Sequence, residues 1–206
     1  MAKGRSGSYL LTLIFLIGAV LLVQRAQQHK PVAVQLEELT RSAEAGSSVA
    51  EEHFSPGEDI ERIDVARLEQ AKSSVDIAMY AFTDQYIADA LKQLAERGVK
   101  VRIYRDQQQY EEEQNHASKK DSDSTTSLLT GLANVQVRVK GKRELMHLKA
   151  YVIDGTVLRD GSANWSPSGE KRQDNNAHFT ADPAQVKAFQ RDFDEMWGRT
   201  DNLIVQ

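Results

Sequence analysis

Two residues near the middle of the chain, His147 and Lys149, stand two apart in the run Met146-His147-Leu148-Lys149-Ala150-Tyr151-Val152-Ile153-Asp154. If this run is a strand, residues i and i+2 face the same side, so imidazole and ammonium project together while Leu148, Ala150 and Val152 face the other way. That pair suits phosphoryl chemistry: the ammonium holds a phosphate oxygen while the imidazole attacks phosphorus or donates a proton. An isolated His-x-Lys is usually a solvated strand edge. Here the run continues to Asp154 and then to Gly161-Ser162-Ala163-Asn164-Trp165, where small residues, a hydroxyl and an amide can approach an anion closely.

These groups need elements to position them. Val75, Ile77 and Met79 alternate as one face of a strand over residues 74–81. Thr83 then opens a helix with an Ile87, Ala90, Leu91 and Leu94 stripe that Gly98 ends, and Val99, Val101 and Ile103 form a second strand. A strand–helix–strand unit predicts a parallel pair. Ser55-Pro56 suits a helix start, with Ile60, Ile63 and Leu68 on its apolar face. Residues 106–127 read as a frayed helix or an excursion, and Glu111-Glu112-Glu113 as a solvated helix face. Further strands are expected over 135–139, 146–153, 156–158 and 177–180, and a final helix runs from Asp182-Pro183 to Gly198. The fold class is α/β: a mixed β-sheet flanked by helices on both faces.

The organisation predicts three segments. Residues 1–26 contain Tyr9 to Val23, an uncharged apolar run flanked by Lys3, Arg5, Arg25 and Lys30. It reads as a single N-terminal transmembrane helix, with a cleaved signal segment as the alternative. A short cytoplasmic N-terminus would place the rest outside the cytoplasm, in the periplasm of a bacterium. Cleavage would make the protein secreted or periplasmic. Residues 27–50 read as a tether, and residues 51–206 as the catalytic domain.

Charge constrains the substrate. The net charge is −4, and residues 1–50 carry five basic and three acidic groups, so residues 51–206 carry −6. A general polyanion binder is usually basic. Any such contact here must be local, through Arg138, Lys140, Lys142 and Arg143 or Lys171 and Arg172, which also fit solvated edges. Trp165 fits either a base-stacking platform or a packed indole. The 206 residues include no cysteine, so a thiolate metal site is excluded.

His147-x-Lys149-x4-Asp154 followed by Gly161-Ser162-x-Asn164 resembles the HKD motif of the phospholipase D superfamily. Phe54-Ser55-Pro56, Ala78 to Asp84 and Arg97 to Val101 are similar to the small bacterial endonuclease-like members, and the resemblance covers about residues 51–198. It implies a phosphodiesterase needing no metal and no cofactor. One histidine attacks phosphorus and a second protonates the leaving oxygen. His147 would then be nucleophile or acid, Lys149, Ser162 and Asn164 the phosphate clamp, and Asp154 a supporting member of the catalytic set. The chain carries one such motif, so a homodimer is expected to bring two copies of His147 together. Family members often place a glutamate after the turn to orient the histidine. Asn175 stands there in this chain, with Asp174 beside it. Nucleic acid is the leading substrate, a phospholipid head group the alternative, and phosphate binding without turnover the third reading.

Overall fold

The computed structural model describes residues 50–205 except 121, 142 and 143. The expected membrane helix and almost all of the tether lie outside the described residues, as do Lys142 and Arg143 of the basic cluster. Among the described residues no helix is long and apolar enough to cross a membrane.

Eight strands form one mixed sheet in the order β1-β7-β6-β5-β2-β3-β4-β8. They are β1 (Glu51–Ser55), β2 (Ser74–Met79), β3 (Lys100–Arg105), β4 (Val135–Val139), β5 (Lys149–Ile153), β6 (Val157–Gly161), β7 (Asn175–Thr180) and β8 (Leu203–Val205). The crossover through helix α2 (Gln85–Glu96) makes β2 and β3 parallel, as expected for that unit, and β4 continues the parallel set. The other pairings are antiparallel.

Alternation along the central strands divides two apolar layers. Val75, Ile77 and Met79 of β2 join Tyr151 and Ile153 of β5 and Phe179 of β7 on one face. Helices α1 (Ile60–Leu68) and α2 cover it, through Ile60, Leu68, Ile87, Leu91 and Leu94. Ala150 and Val152 of β5 face the opposite side, where Val186 of helix α6 (Pro183–Trp197) meets them. Helices on both faces match the architecture expected from the sequence.

Element boundaries moved in informative places. Phe54 and Ser55 lie in edge strand β1, and α1 begins only after its cap at Asp59. Asp84, not Thr83, caps α2, its carboxylate accepting from the amides of Tyr86 and Ile87. The polar stretch after Asp106 is a regular helix, α3 (Gln107–Lys119), followed by a short α4 (Thr125–Leu129). Glu113 is not a solvated residue of that helix. It is buried and ion-paired with the fully buried Arg105 at 2.6 Å, and it accepts from the Phe82 amide at 3.0 Å. Arg105 in turn donates to the Met79 carbonyl. The end of β2 is therefore clamped where the chain leaves the sheet toward Tyr80.

Candidate active site

Lys149 is the first residue of β5, and His147 lies in the irregular segment before it. The strand expected from residue 146 thus starts three residues later. The cause is tertiary: the Met146 amide donates to the Asp106 carboxylate at 2.9 Å, and its buried side chain packs with Phe193 and Trp197. The Tyr80 amide still donates to the Leu148 carbonyl at 2.9 Å, which holds the segment beside β2.

His147 and Lys149 nevertheless converge on the Tyr80 ring. The Tyr80 and His147 rings lie 4.5 Å apart, and the Lys149 Nζ sits 4.7 Å from the Tyr80 ring centre. A cation over an aromatic face is attracted by the ring quadrupole. Nζ also donates to the His147 carbonyl at 2.8 Å. His147 is exposed, whereas Lys149 is 6% exposed. Burial pushes its ammonium down to about 8. Among the described residues no carboxylate is ion-paired with it, so the charge is left for an anion.

The turn carrying Ser162 and Asn164 follows β6. The Ser162 amide donates to the Asn176 side-chain oxygen at 3.0 Å, and the Ser162 hydroxyl oxygen accepts from the Asn176 amide at 2.9 Å. The Ser162 proton is thus left to donate. Asn164 accepts from the Ala81 amide at 3.3 Å through its side-chain oxygen, leaving its NH2 without an acceptor among the described residues. Gly161 has φ +143°, and a Cβ there would stand 2.4 Å from the Asn176 carbonyl oxygen. No side chain fits that position without moving the strand.

A buried network that the sequence reading missed joins turn and strand. Arg159 and Asp64 are both fully buried and ion-paired at 3.0 Å. Arg159 also donates to the carbonyls of Lys149 at 2.9 Å and Ala163 at 3.2 Å. Asp64 further accepts from the Tyr151 hydroxyl and the Trp165 indole, each at 2.9 Å. The signal was present as Arg159 between Leu158 and Gly161, on the inward face of β6. Trp165 is therefore a packed indole and not a stacking platform.

Asp154, Asn175 and Asp174 make no side-chain hydrogen bond to His147 among the described residues. Asp154 lies in the turn at the far end of β5 from Lys149, with φ +52°. Its carboxylate accepts from the amides of Lys72, Ser73 and Ser74 and the Ser73 hydroxyl. Burial works against its charge, but these donors hold the carboxyl below its ordinary value. Five residues of strand span roughly 16 Å, so Asp154 stands at the other end of β5 from Lys149 and braces the loop before β2. Asn175 does not orient His147 in this arrangement, because its NH2 donates to the Gly169 carbonyl at 2.8 Å and to Gln173. Asp174 is exposed in a shallow cleft of about 370 Å³ beside Phe54, Ser162 and Asn176, and no side-chain hydrogen bond from it to His147 exists among the described residues. The basic cluster is also less free than expected: Arg138 stacks over Trp197, and the Lys140 ammonium donates to the Glu144 carbonyl.

Residues 65–197 match the family model described as cardiolipin synthase, PLD-like domain. The chain belongs to this phospholipase D-like family. The matched span contains His147, Lys149, Ser162 and Asn164, while the buried Asp64 lies one residue before it. The mitochondrial cardiolipin hydrolase of Chlamydomonas reinhardtii is 31% identical over 130 residues, covering 63% of this chain and 54% of that protein. The protein of the same name from Drosophila melanogaster is 30% identical over 153 residues, covering 65% and 56%. The chain thus spans just over half the length of these curated relatives. Among solved structures, the phospholipase D-like domain resembles a phospholipase D family member, Nuc, from Salmonella typhimurium. The TM-score is 0.64 at 20% identity, covering 78% of this chain and 99% of that one. NucT from Helicobacter pylori gives 0.64 at 27% identity, covering 77% and 99%.

Proposed function

We propose that this phospholipase D-like domain hydrolyses phosphodiester bonds through a phosphohistidine on His147, with nucleic acid as the substrate. The observation that carries the reading is the convergence of an exposed imidazole and a buried, unpaired ammonium on the Tyr80 ring. Lys149, the Ser162 hydroxyl and the Asn164 amide would bind the non-bridging oxygens, where negative charge grows in the transition state. A ring nitrogen of His147 would form the bond to phosphorus as the bond to the leaving oxygen breaks. A second histidine protonates that oxygen and then takes a proton from the water that hydrolyses the intermediate.

One chain supplies one such histidine, so the reading includes a two-fold homodimer in which the second copy's His147 is the acid. The similarity of residues 78–84 and 97–101 to the endonuclease-like members supports nucleic acid over other diesters.

A second reading has its own observation. Leu145 and Leu148 flank His147 with 51% and 42% of their surface exposed, an apolar rim suited to a lipid surface. The name of the cardiolipin hydrolases supports the same direction.

The test is turnover with and without EDTA, well below the melting temperature, on single- and double-stranded DNA and RNA and on vesicles containing anionic phospholipid. Cleavage of a nucleic acid that His147→Ala abolishes is the expected result. Release of phosphatidic acid alone would move the assignment to lipid, and no turnover on any substrate by a folded dimer would leave phosphate binding only.

A further inference from the structure

Away from His147, carboxylates from three helical segments meet in the interior. Glu61 lies in α1, Asp84 caps α2, and Glu170 lies in the short helix α5 (Pro167–Lys171) that follows the phosphate turn. One oxygen of each lies within 4.8 Å of the others, and the three residues are only 7%, 2% and 0% exposed. Buried carboxylates need partners. The Lys171 ammonium serves Glu61 at 2.6 Å, and one Asp84 oxygen serves the α2 amides. Glu170 is different. Both of its oxygens are buried, and neither has a hydrogen-bond partner among the described residues. Two unanswered acceptors on one fully buried side chain, aimed at two more carboxylates, call for a ligand.

We propose that Glu61, Asp84 and Glu170 bind one divalent cation of the hard, oxygen-seeking class (calcium, magnesium or manganese). Each of the three residues offers a carboxylate oxygen to the cluster, and carboxylate oxygens are the ligands such ions prefer. The charges match: three carboxylates against the Lys171 ammonium leave two negative charges, which one divalent ion neutralises.

A proton is the competing occupant. Burial, then the charges of Asp64 and Asp84, pushes the Glu170 carboxyl up to about 10, and burial raises Glu61 as well. A single proton answers one oxygen and leaves the other carboxylates facing each other. A cation answers all three.

The ion would tie α1, α2 and α5 together and brace the turn from behind. The Gly169 carbonyl, next to Glu170, accepts from the Asn175 side-chain amide at 2.8 Å, the Ser55 hydroxyl donates to the nearby Gln173 carbonyl at 2.8 Å, and the Asn164 carbonyl oxygen packs against Gly169. No donor of the site belongs to the proposed catalytic set, so the inference stands apart from the proposed chemistry.

The experiment uses the full chain freed of metal on a chelating resin at pH 8. Calcium, magnesium and manganese chlorides are titrated at ionic strength matched with sodium chloride. The readings are melting temperature and manganese stoichiometry by electron paramagnetic resonance. The expected result is one manganese per chain and a saturable rise of about 5–10 °C at a hundredfold excess over Kd. Glu170→Gln should lose both, and His147→Ala should keep both. Wild type that neither binds manganese nor shifts overturns the proposal and assigns the cluster to a proton. A Glu170→Gln protein that binds as wild type does also overturns it. If Glu170→Gln does not fold, Glu61→Gln makes the same comparison.

Discussion

The Lys149 ammonium turns back to donate to the carbonyl of His147, 2.8 Å away, while the rings of Tyr80 and His147 pack 4.5 Å apart. The two residues proposed to carry the chemistry are thus linked through the His147 carbonyl and share the Tyr80 ring. Neither is tied to a carboxylate among the described residues, so the charge of Lys149 is available to substrate.

That relationship sets a pH dependence. Burial brings the Lys149 ammonium down to about 8. The charged form is present below that pH and is lost as pH rises through it. For an anionic substrate, kcat/KM should fall about tenfold per pH unit above roughly pH 8, while kcat, reporting the bound state, falls later. Lys149→Arg keeps its charge at all these pH values and should lose the alkaline limb even if its maximum is lower. An unchanged limb in Lys149→Arg would assign the ionisation elsewhere.

The Arg159–Asp64 pair should be costly to break and cheaper to replace. Asp64→Ala strands a buried guanidinium together with the Tyr151 hydroxyl and Trp165 indole, and should cost about 3–5 kcal/mol in urea unfolding. The double variant Asp64→Leu with Arg159→Met should recover a large part of that stability. It should not recover activity, because the donors to the Lys149 and Ala163 carbonyls are gone. Full activity in the double variant would remove Arg159 from the positioning of the site.

Asn175 offers a choice between family pattern and local geometry. A glutamate there would face the Gly169 carbonyl, to which Asn175 now donates. Asn175→Glu should therefore lose about 1–3 kcal/mol of stability and gain no kcat. A rise in kcat would mean that the carboxylate reaches His147 after all.

A shared site predicts subunit poisoning. After unfolding and refolding wild type with a ninefold excess of His147→Ala, nearly all wild-type subunits sit in mixed dimers with a single histidine. Activity per wild-type subunit should fall to about a tenth, the statistical fraction of intact pairs. Activity that stays proportional to wild-type subunits would place a complete site in each chain.

Much of this was legible in the sequence because it rests on periodicity. The β2–α2–β3 unit, the two faces of β5 and the final helix follow from apolar spacing and capping residues. The turn after β6 is marked by the small residues of Gly161-Ser162-Ala163-Asn164, and Gly161 stands where a side chain is excluded. What could not be read is tertiary. Glu113 resembles its acidic neighbours in sequence, and only Arg105 across the fold makes it interior. Asp154 is spaced like a catalytic residue, yet a strand carries it away from Lys149 to cap the loop before β2. Asp64 and Arg159 stand 95 positions apart, and Glu170 comes to Asp84 and Glu61 across about 86 and 109 positions, separations that no local spacing rule reaches.

The proposed chemistry turns on a covalent phosphohistidine at His147. Incubating the protein with a phosphorus-labelled oligonucleotide, quenching in alkali and mapping the label by peptide mass spectrometry measures it directly. Label is expected on the peptide containing His147, absent from His147→Ala and released by acid. Turnover with no label on any histidine, or label retained elsewhere in His147→Ala, would contradict it.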